Sequence, residues 1–216
     1  MNSPSQIAIR AGFIAVALVL WFWTQRLISQ KPAPATGAVG DRLHVLTAPL
    51  LGWLTVHTGA ANLTLIVTSA LVDAFGLYLF GCAVFGPTLQ PFVAVLIVFA
   101  LRQLCQATVT LPAPPGIIWR HPGFPSLLVT YGVSNDFFFS GHTAISVLGA
   151  LQLAHAAPPG LAVLGAAVAA VEALTVIVLR AHYTMDVFAA IFAAWAADVV
   201  AHHLAPALDV WLKHFA

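Results

Sequence analysis

The chain has 216 residues, of which 61% are hydrophobic and only 7% are charged, with a formal net charge of +1 and a mean hydropathy of +0.95. So few charges exclude a soluble globular domain, and a balance this close to neutral argues against nucleic acid as a partner. The composition predicts an all-α, polytopic membrane protein whose surroundings are the lipid bilayer.

Apolar runs long enough to cross a bilayer follow one another along the chain. A helix of roughly 20 apolar residues spans the hydrocarbon core. We therefore predict a bundle of six transmembrane helices, and an even number of spans places both termini on one side. Their approximate bounds are 9–29, 62–84, 89–110, 142–157, 160–179 and 185–204.

The chain is expected to divide into three parts. Residues 1–59 form an N-terminal transmembrane anchor plus an interfacial segment over 43–58, which is too short and too polar to span. We favour an uncleaved anchor over a signal peptide, because a polar stretch separates the first apolar run from the nearest cleavage pattern. Residues 60–205 form the catalytic membrane domain, and residues 206–216 form a short C-terminal tail.

Ionisable side chains inside the predicted spans are costly to bury, so each is a candidate for function. Asp73, Arg102 and Glu172 lie at comparable depths, which allows a buried pair between Arg102 and one carboxylate. Such a pair could fix helix register or take part in catalysis. These charges also leave a small membrane transporter as a remote alternative, although the chain has no internal repeat.

The first of two histidine motifs opens the fourth predicted span and reads Asp136-Phe-Phe-Phe-Ser140-Gly141-His142-Thr143. Ser140 is a predicted N-cap, and Gly141 would let a ligand approach the backbone. Free amide groups and the positive end of the helix dipole favour a phosphate at such a helix start.

The second motif precedes the sixth predicted span and reads Arg180-Ala-His182-Tyr183-Thr184-Met185-Asp186-Val187. His182 and Asp186 are spaced i, i+4, so on a helix they share one face and the carboxylate can fix the imidazole tautomer. Arg180 could hold phosphate oxygens with its planar guanidinium. Metal binding by His142, His182 and Asp186 is an alternative, which the neighbouring arginine disfavours because it suits an anion.

The six-span arrangement places both motifs on one face of the membrane. Distance excludes other histidines, since His155 lies about 20 Å from His142 along its helix and His202 and His203 lie roughly 30 Å from His182. Two histidines with a carboxylate and an arginine on one surface predict an enzyme of phosphoryl chemistry.

Three blocks of the sequence resemble the sphingomyelin synthase family, a branch of the lipid phosphatase superfamily that also contains the type 2 phosphatidic acid phosphatases. The similarity covers roughly residues 60–205 and includes the same order and spacing of blocks. The blocks are Leu101-Arg102…Thr108-Val109-Thr110-Leu111-Pro112-Ala113-Pro114, Asp136-x3-Ser140-Gly141-His142-Thr143 and His182-Tyr183-Thr184-x-Asp186-Val187.

The resemblance implies a role for each motif residue. His182 would be the nucleophile that forms a phosphohistidine, and Asp186 would orient it. His142 would be the general acid and base, protonating the diacylglycerol leaving oxygen and then deprotonating the acceptor hydroxyl. Asp136 would tune one of these histidines. The candidates for substrate binding are Ser140, Gly141, Thr143, Arg180, Arg102 and Tyr183.

The expected activity is that of a sphingomyelin synthase-type phosphotransferase. It moves a phospho-headgroup from a glycerophospholipid to a ceramide- or diacylglycerol-like alcohol, without a metal or an organic cofactor. A lipid phosphatase that uses the same histidines with water is the alternative, but Val176 stands where the hydrolytic branch has an arginine, which favours transfer. A cationic headgroup would suit an aromatic cage of Trp119, Phe124 and Tyr131.

Two signals disagree on the side of the membrane that carries the site. Relatives in the family work on the exoplasmic face, so the resemblance implies an exoplasmic or periplasmic active site, which we expect. The positive-inside rule favours the cytoplasm, because basic residues collect in the loops on the catalytic side. These residues are Arg26, Lys31, Arg42, Arg120 and Arg180.

Overall fold

A computed structural model describes residues 3–30, 39–131 and 137–214 of the chain. In these ranges every regular element is an α-helix, which confirms the predicted all-α class. The helices are α1 Pro4–Ser29, α2 Arg42–Val56, α3 Thr58–Phe85, α4 Gln90–Thr108, α5 Gly141–Ala156, α6 Pro159–Val178 and α7 Thr184–Lys213.

Five of the described helices, α1, α3, α4, α6 and α7, are long and apolar enough to cross a membrane. The multi-pass membrane character is thereby confirmed, whereas the described helices support five spans and not the predicted six. Helix α5, predicted as a span over 142–157, has 16 residues. At helical rise it reaches about 24 Å, less than the hydrocarbon thickness of about 30 Å. The expectation that both histidine motifs lie on one side of the membrane therefore needs evidence other than an even number of spans.

The short helix α5 lies at the centre of the packing and contacts α3, α4, α6 and α7. The close approach of neighbouring helices depends on small residues where they touch. A Cβ added at Gly149 would lie 2.1 Å from Cδ1 of Phe75, so this glycine lets α3 pack against the α5 backbone. On α7 a stripe of buried alanines faces the core and allows similar proximity. The stripe consists of Ala190, Ala194, Ala197, Ala201 and Ala205.

The two carboxylates proposed as partners of Arg102 bond elsewhere. Asp73 accepts hydrogen bonds of 2.8 Å from two adjacent backbone N–H groups in the loop after α4. Glu172 on α6 is buried and accepts from the hydroxyl of Thr68 on α3. One carboxylate thus anchors the loop, and the other links two helices.

Candidate active site

The start of α5 is fixed by a buried hydroxyl pair. Oγ of Ser140 accepts from the Thr143 backbone N–H at 3.2 Å and from the Thr143 hydroxyl at 3.0 Å. The predicted N-cap at Ser140 is confirmed. The Ser140 N–H donates to the backbone oxygen of Asp186 at 3.2 Å, which joins the beginning of α5 to the beginning of α7. The two histidine motifs therefore meet through main-chain bonding.

His142 and His182 line the same cavity at this junction. The His142 ring meets Trp119 edge-on, with centroids 5.0 Å apart and an interplanar angle of 84°. Its Nε2 atom is buried and has no hydrogen-bond partner among the described residues. A buried nitrogen without a partner is costly, so this atom is a candidate for binding or proton transfer.

His182 is not on α7, which begins at Thr184 with Tyr183 as its N-cap. The prediction that His182 and Asp186 share a helical face is therefore wrong. His182 Nδ1 instead donates to the carbonyl oxygen of Phe137 at 2.7 Å. This bond places the proton on Nδ1 and leaves the Nε2 lone pair available, which is the tautomer a nucleophile needs.

Asp186 serves first as a helix cap. Its Oδ2 accepts from the Tyr183 backbone N–H at 2.8 Å, and the same oxygen lies 3.6 Å from Nδ1 of His182. The carboxylate is fully buried, and its Oδ1 has no hydrogen-bond partner among the described residues. Asp186 thus contributes negative charge beside His182, while the Phe137 carbonyl supplies the directional contact.

We expect substitutions of Asp186 to separate these two contributions. Asp186→Asn keeps an oxygen for the Tyr183 N–H but removes the charge, so transfer should fall roughly 10- to 100-fold with little change in unfolding temperature. Asp186→Ala also loses the cap, which should cost about 0.5–2 kcal/mol of stability. Initial rates and thermal unfolding in detergent measure the two effects. A fully active Asp186→Asn protein would contradict an electrostatic role.

Arg102 brings a positive charge to the cavity from α4. The buried guanidinium donates from Nε to the Phe139 carbonyl at 3.0 Å and from Nη1 to Gln25 of α1 at 3.1 Å. A Cβ on Gly141 would lie 3.3 Å from the arginine Nε, so the glycine allows the guanidinium to lie against the start of α5. A fixed cation beside two imidazoles suits an anionic phosphodiester.

Two of the predicted site residues within the described ranges, Arg180 and Tyr183, do not line the cavity. Arg180, at φ 59°, is buried and donates to the His44 carbonyl and, at 3.3 Å, to the Thr47 hydroxyl, so its guanidinium anchors α2. Tyr183 is buried against a second pocket, whose lining includes Asp41. Among the candidates for substrate binding, Gly141 and Arg102 line the cavity. Asp136 lies outside the described residues.

The sequence analysis missed two residues that hold the His182 segment. Asp41 caps α2 through the backbone N–H groups of Leu43 and His44, and it also accepts from Thr184 N at 2.6 Å and from Thr184 Oγ1 at 2.7 Å. His44 Nε2 donates to the His182 carbonyl oxygen at 3.0 Å. The sequence feature that could have identified Asp41 is an aspartate immediately before an apolar helical run, which is typical of an N-cap.

His44 should make the stability of the protein depend on pH. Burial lowers the pKa of the imidazole below its usual range and nearby Arg180 acts in the same direction, although the bond to the His182 carbonyl opposes them. A folded pKa below the unfolded value stabilises the protein above about pH 6.5, and this contribution is lost as the pH falls through the folded pKa.

His44→Gln keeps an N–H donor without titrating. We expect its unfolding temperature to fall less than that of the wild type between pH 7 and pH 5, and equal decreases would contradict this role.

Of the predicted aromatic cage, Trp119 lines the cavity and forms an aromatic wall there. Trp119 is held by a 3.1 Å bond from its Nε1 to the Thr130 carbonyl, and its ring lies 5.1 Å from that of Tyr131. The His121 ring packs edge-on against Tyr131, with centroids 5.5 Å apart. Phe124, the third member of the predicted cage, has 46% of its surface exposed.

Comparison with known proteins identifies a related family. A sequence model described as AtPDCT1/2, the phosphatidylcholine:diacylglycerol cholinephosphotransferases, matches residues 41–203. No curated protein matches the chain. The matched range includes both histidine motifs and begins at Asp41. The assignment to the sphingomyelin synthase family is therefore wrong, although that family also transfers lipid headgroups. Short motifs whose side chains react with a phosphate group do not by themselves specify which lipids donate and accept the headgroup.

Proposed function

The chain belongs to the AtPDCT1/2 family, and from this premise we propose that it transfers phosphocholine from phosphatidylcholine to diacylglycerol through a phosphohistidine at His182. The family supports the general activity, a membrane enzyme that transfers lipid headgroups. The observation that carries the mechanism is the shared cavity of His142, His182 and Arg102.

In the first half-reaction, the lone pair of His182 Nε2 attacks the phosphorus of phosphatidylcholine. An N–P bond forms and the bond from phosphorus to the glycerol oxygen breaks. Protonated His142 gives its proton to that oxygen, so diacylglycerol leaves as a neutral alcohol. Arg102 stabilises the negative charge of the phosphoryl oxygens. Burial lowers the pKa of the His142 imidazole to about 3, and the phosphodiester anion beside the ring raises it towards the imidazolium form that this step requires.

In the second half-reaction, a new diacylglycerol hydroxyl attacks the phosphorus and gives its proton to the now neutral His142. The N–P bond breaks, which restores His182 and yields a new phosphatidylcholine. Atoms and charge balance over the two steps, and the scheme uses no metal or organic cofactor.

The aromatic wall supports a choline headgroup. A quaternary ammonium group cannot donate hydrogen bonds and is bound well by aromatic faces. Trp119 lies against His142, and Tyr131 lies against Trp119. We assign the choline to this wall, on the side of the phosphorus away from the glycerol.

The acyl chains have an apolar route towards the cavity. A groove of about 440 Å³ lies between α1 and α4, and its lining is almost entirely apolar. Trp21 of α1 and Phe99 of α4 line both the groove and the catalytic cavity, and their rings stack with centroids 5.0 Å apart. We assign one acyl chain of the bound lipid to this groove, where its burial would be favourable.

Filling the groove should discriminate between lipids by chain length. Ala100 is exposed on α4 and lines the groove. We expect Ala100→Phe to slow transfer between a donor and an acceptor with 18-carbon chains about tenfold or more, and to change transfer from an 8-carbon donor to an 8-carbon acceptor little. Ala70→Phe, at an exposed alanine on α3, is the matched control. Equal effects on both lipid pairs would contradict the assignment of the groove.

The proposed function is tested with purified protein in liposomes of phosphatidylcholine. Diacylglycerol with deuterated chains, ceramide or no acceptor is added, and products are separated by mass spectrometry. Phosphatidylcholine with deuterated chains is the expected product. Sphingomyelin as the main product would indicate a ceramide acceptor, and free phosphocholine or phosphate formed at the same rate without acceptor would indicate hydrolysis. Either result would overturn the proposal.

A further inference from the structure

A second cluster of ligating side chains lies far from the catalytic cavity. One atom each of His155, Asp198 and His202 lies within 4.8 Å of the other two, the one such cluster of three found in the described ranges. His155 follows His142 by 13 residues on α5, so the cluster is about 20 Å away, at the other end of that helix. The transfer chemistry uses none of these groups.

The carboxylate of the cluster is held in place by three helices. Asp198 of α7 is 7% exposed, and its Oδ2 lies 3.0 Å from Nε2 of His155. Its Oδ1 accepts from the Gln90 side-chain amide of α4 at 2.6 Å. A ligand carboxylate in metal sites is commonly oriented in this way by an outer hydrogen bond.

The two imidazoles approach the carboxylate from different helices. His202 follows Asp198 at i+4, so both lie on one face of α7. Its ring lies 5.2 Å from that of His155, measured between centroids. The His155 side chain is 41% exposed, which leaves its imidazole free to turn towards an ion.

We propose that His155, Asp198 and His202 bind one zinc ion, which joins α5 to α7. Two imidazole nitrogens and one carboxylate oxygen are ligands that zinc accepts, and water would complete a tetrahedral site. Zinc binds the lone pair of an imidazole nitrogen, so on binding the proton that His155 Nε2 shares with Asp198 moves to Nδ1 of the same ring. The ion stabilises the packing of α5 against α7.

The test uses the full-length protein in detergent, freed of metal by chelation and then dialysed with zinc. Metal is counted by mass spectrometry, and cobalt absorption reports the coordination geometry. His202→Ala and His155→Ala remove a ligand each. His203→Ala is the matched control, because this neighbouring histidine is exposed and lies outside the cluster.

We expect one equivalent of zinc in the wild type and in His203→Ala, and at least tenfold weaker binding in His155→Ala and His202→Ala. Gln90→Ala should weaken binding roughly 10- to 100-fold, because the carboxylate loses its orienting bond. Zinc should raise the unfolding temperature of the wild type and not that of His202→Ala. If the wild type binds no more zinc than His202→Ala, the contact is a hydrogen bond alone and the proposal is overturned. A failure here leaves the proposed transfer untouched.

Discussion

Replacement of His182 by asparagine is expected to lower phosphocholine transfer at least about a hundredfold, because the nucleophilic Nε2 is lost. Asparagine can still present an N–H to the Phe137 carbonyl, where His182 Nδ1 donates at 2.7 Å. The fold should therefore survive, and the unfolding temperature should stay close to that of the wild type. Initial rates in liposomes with deuterated diacylglycerol measure the effect.

A covalent label identifies the step that is lost. Brief incubation with ³²P-phosphatidylcholine should give the wild type an acid-labile, alkali-stable label on His182, as expected of an N–P bond. The His182→Asn protein should carry none. His57→Ala, at an exposed histidine between α2 and α3, should keep both the label and the rate. An active His182→Asn protein, or a label at another residue, would rule out the phosphohistidine scheme.

Replacement of His142 by alanine is expected to slow transfer about 10²- to 10⁴-fold, the range for loss of a general acid and base. The defect should depend on the leaving group. The p-nitrophenyl ester of phosphocholine releases a stable phenolate that needs no proton, so its first cleavage should proceed in His142→Ala at a rate near that of the wild type. His182→Asn should not be rescued, because it lacks the nucleophile.

The second half-reaction remains slow in His142→Ala, since no base receives the acceptor proton. We therefore expect one equivalent of p-nitrophenol in a burst, with phosphocholine retained on His182. Continued turnover without a burst would show that another group accepts the proton. No cleavage at all would show that His142 is required for binding or for the nucleophile, and either result would contradict its assigned role.

The comparison of His182 with Asp186 explains why spacing alone did not identify the hydrogen-bond acceptor of the imidazole. The i, i+4 rule applies only inside a helix, and α7 begins two residues after His182. The carboxylate therefore caps the helix, and a carbonyl from a different chain segment fixes the imidazole. The expected tautomer is nevertheless supported by the geometry, because either acceptor places the proton on Nδ1.

Arg180 and Arg102 show in the same way that residue type alone does not identify which guanidinium lines the cavity. Both were candidates for holding phosphate, and a guanidinium suits that task wherever it is exposed to the substrate. Only the packing of α2 against the segment before α7 directs Arg180 to backbone and hydroxyl oxygens. Helix α1, outside the matched range 41–203, contributes Gln25 to Arg102 and Trp21 to the cavity wall.

The sequence by itself determined the features that depend on composition and on near neighbours in the chain. It predicted an all-α membrane protein, the N-cap at Ser140 and the two motifs that supply His142 and His182. It could not count spans correctly, because hydropathy does not show that α5 ends after 16 residues. It also did not separate one headgroup-transferring family from another.

Tertiary structure alone decided which side chains face one another. Asp41 and His44 reach the His182 segment across about 140 positions of sequence. His155 and His202, which distance excludes from the catalytic site, meet each other and Asp198 because α5 and α7 pack side by side. Local patterns follow from the chain's own short-range geometry, whereas hydrogen-bond partners and shared cavities follow from how the helices pack.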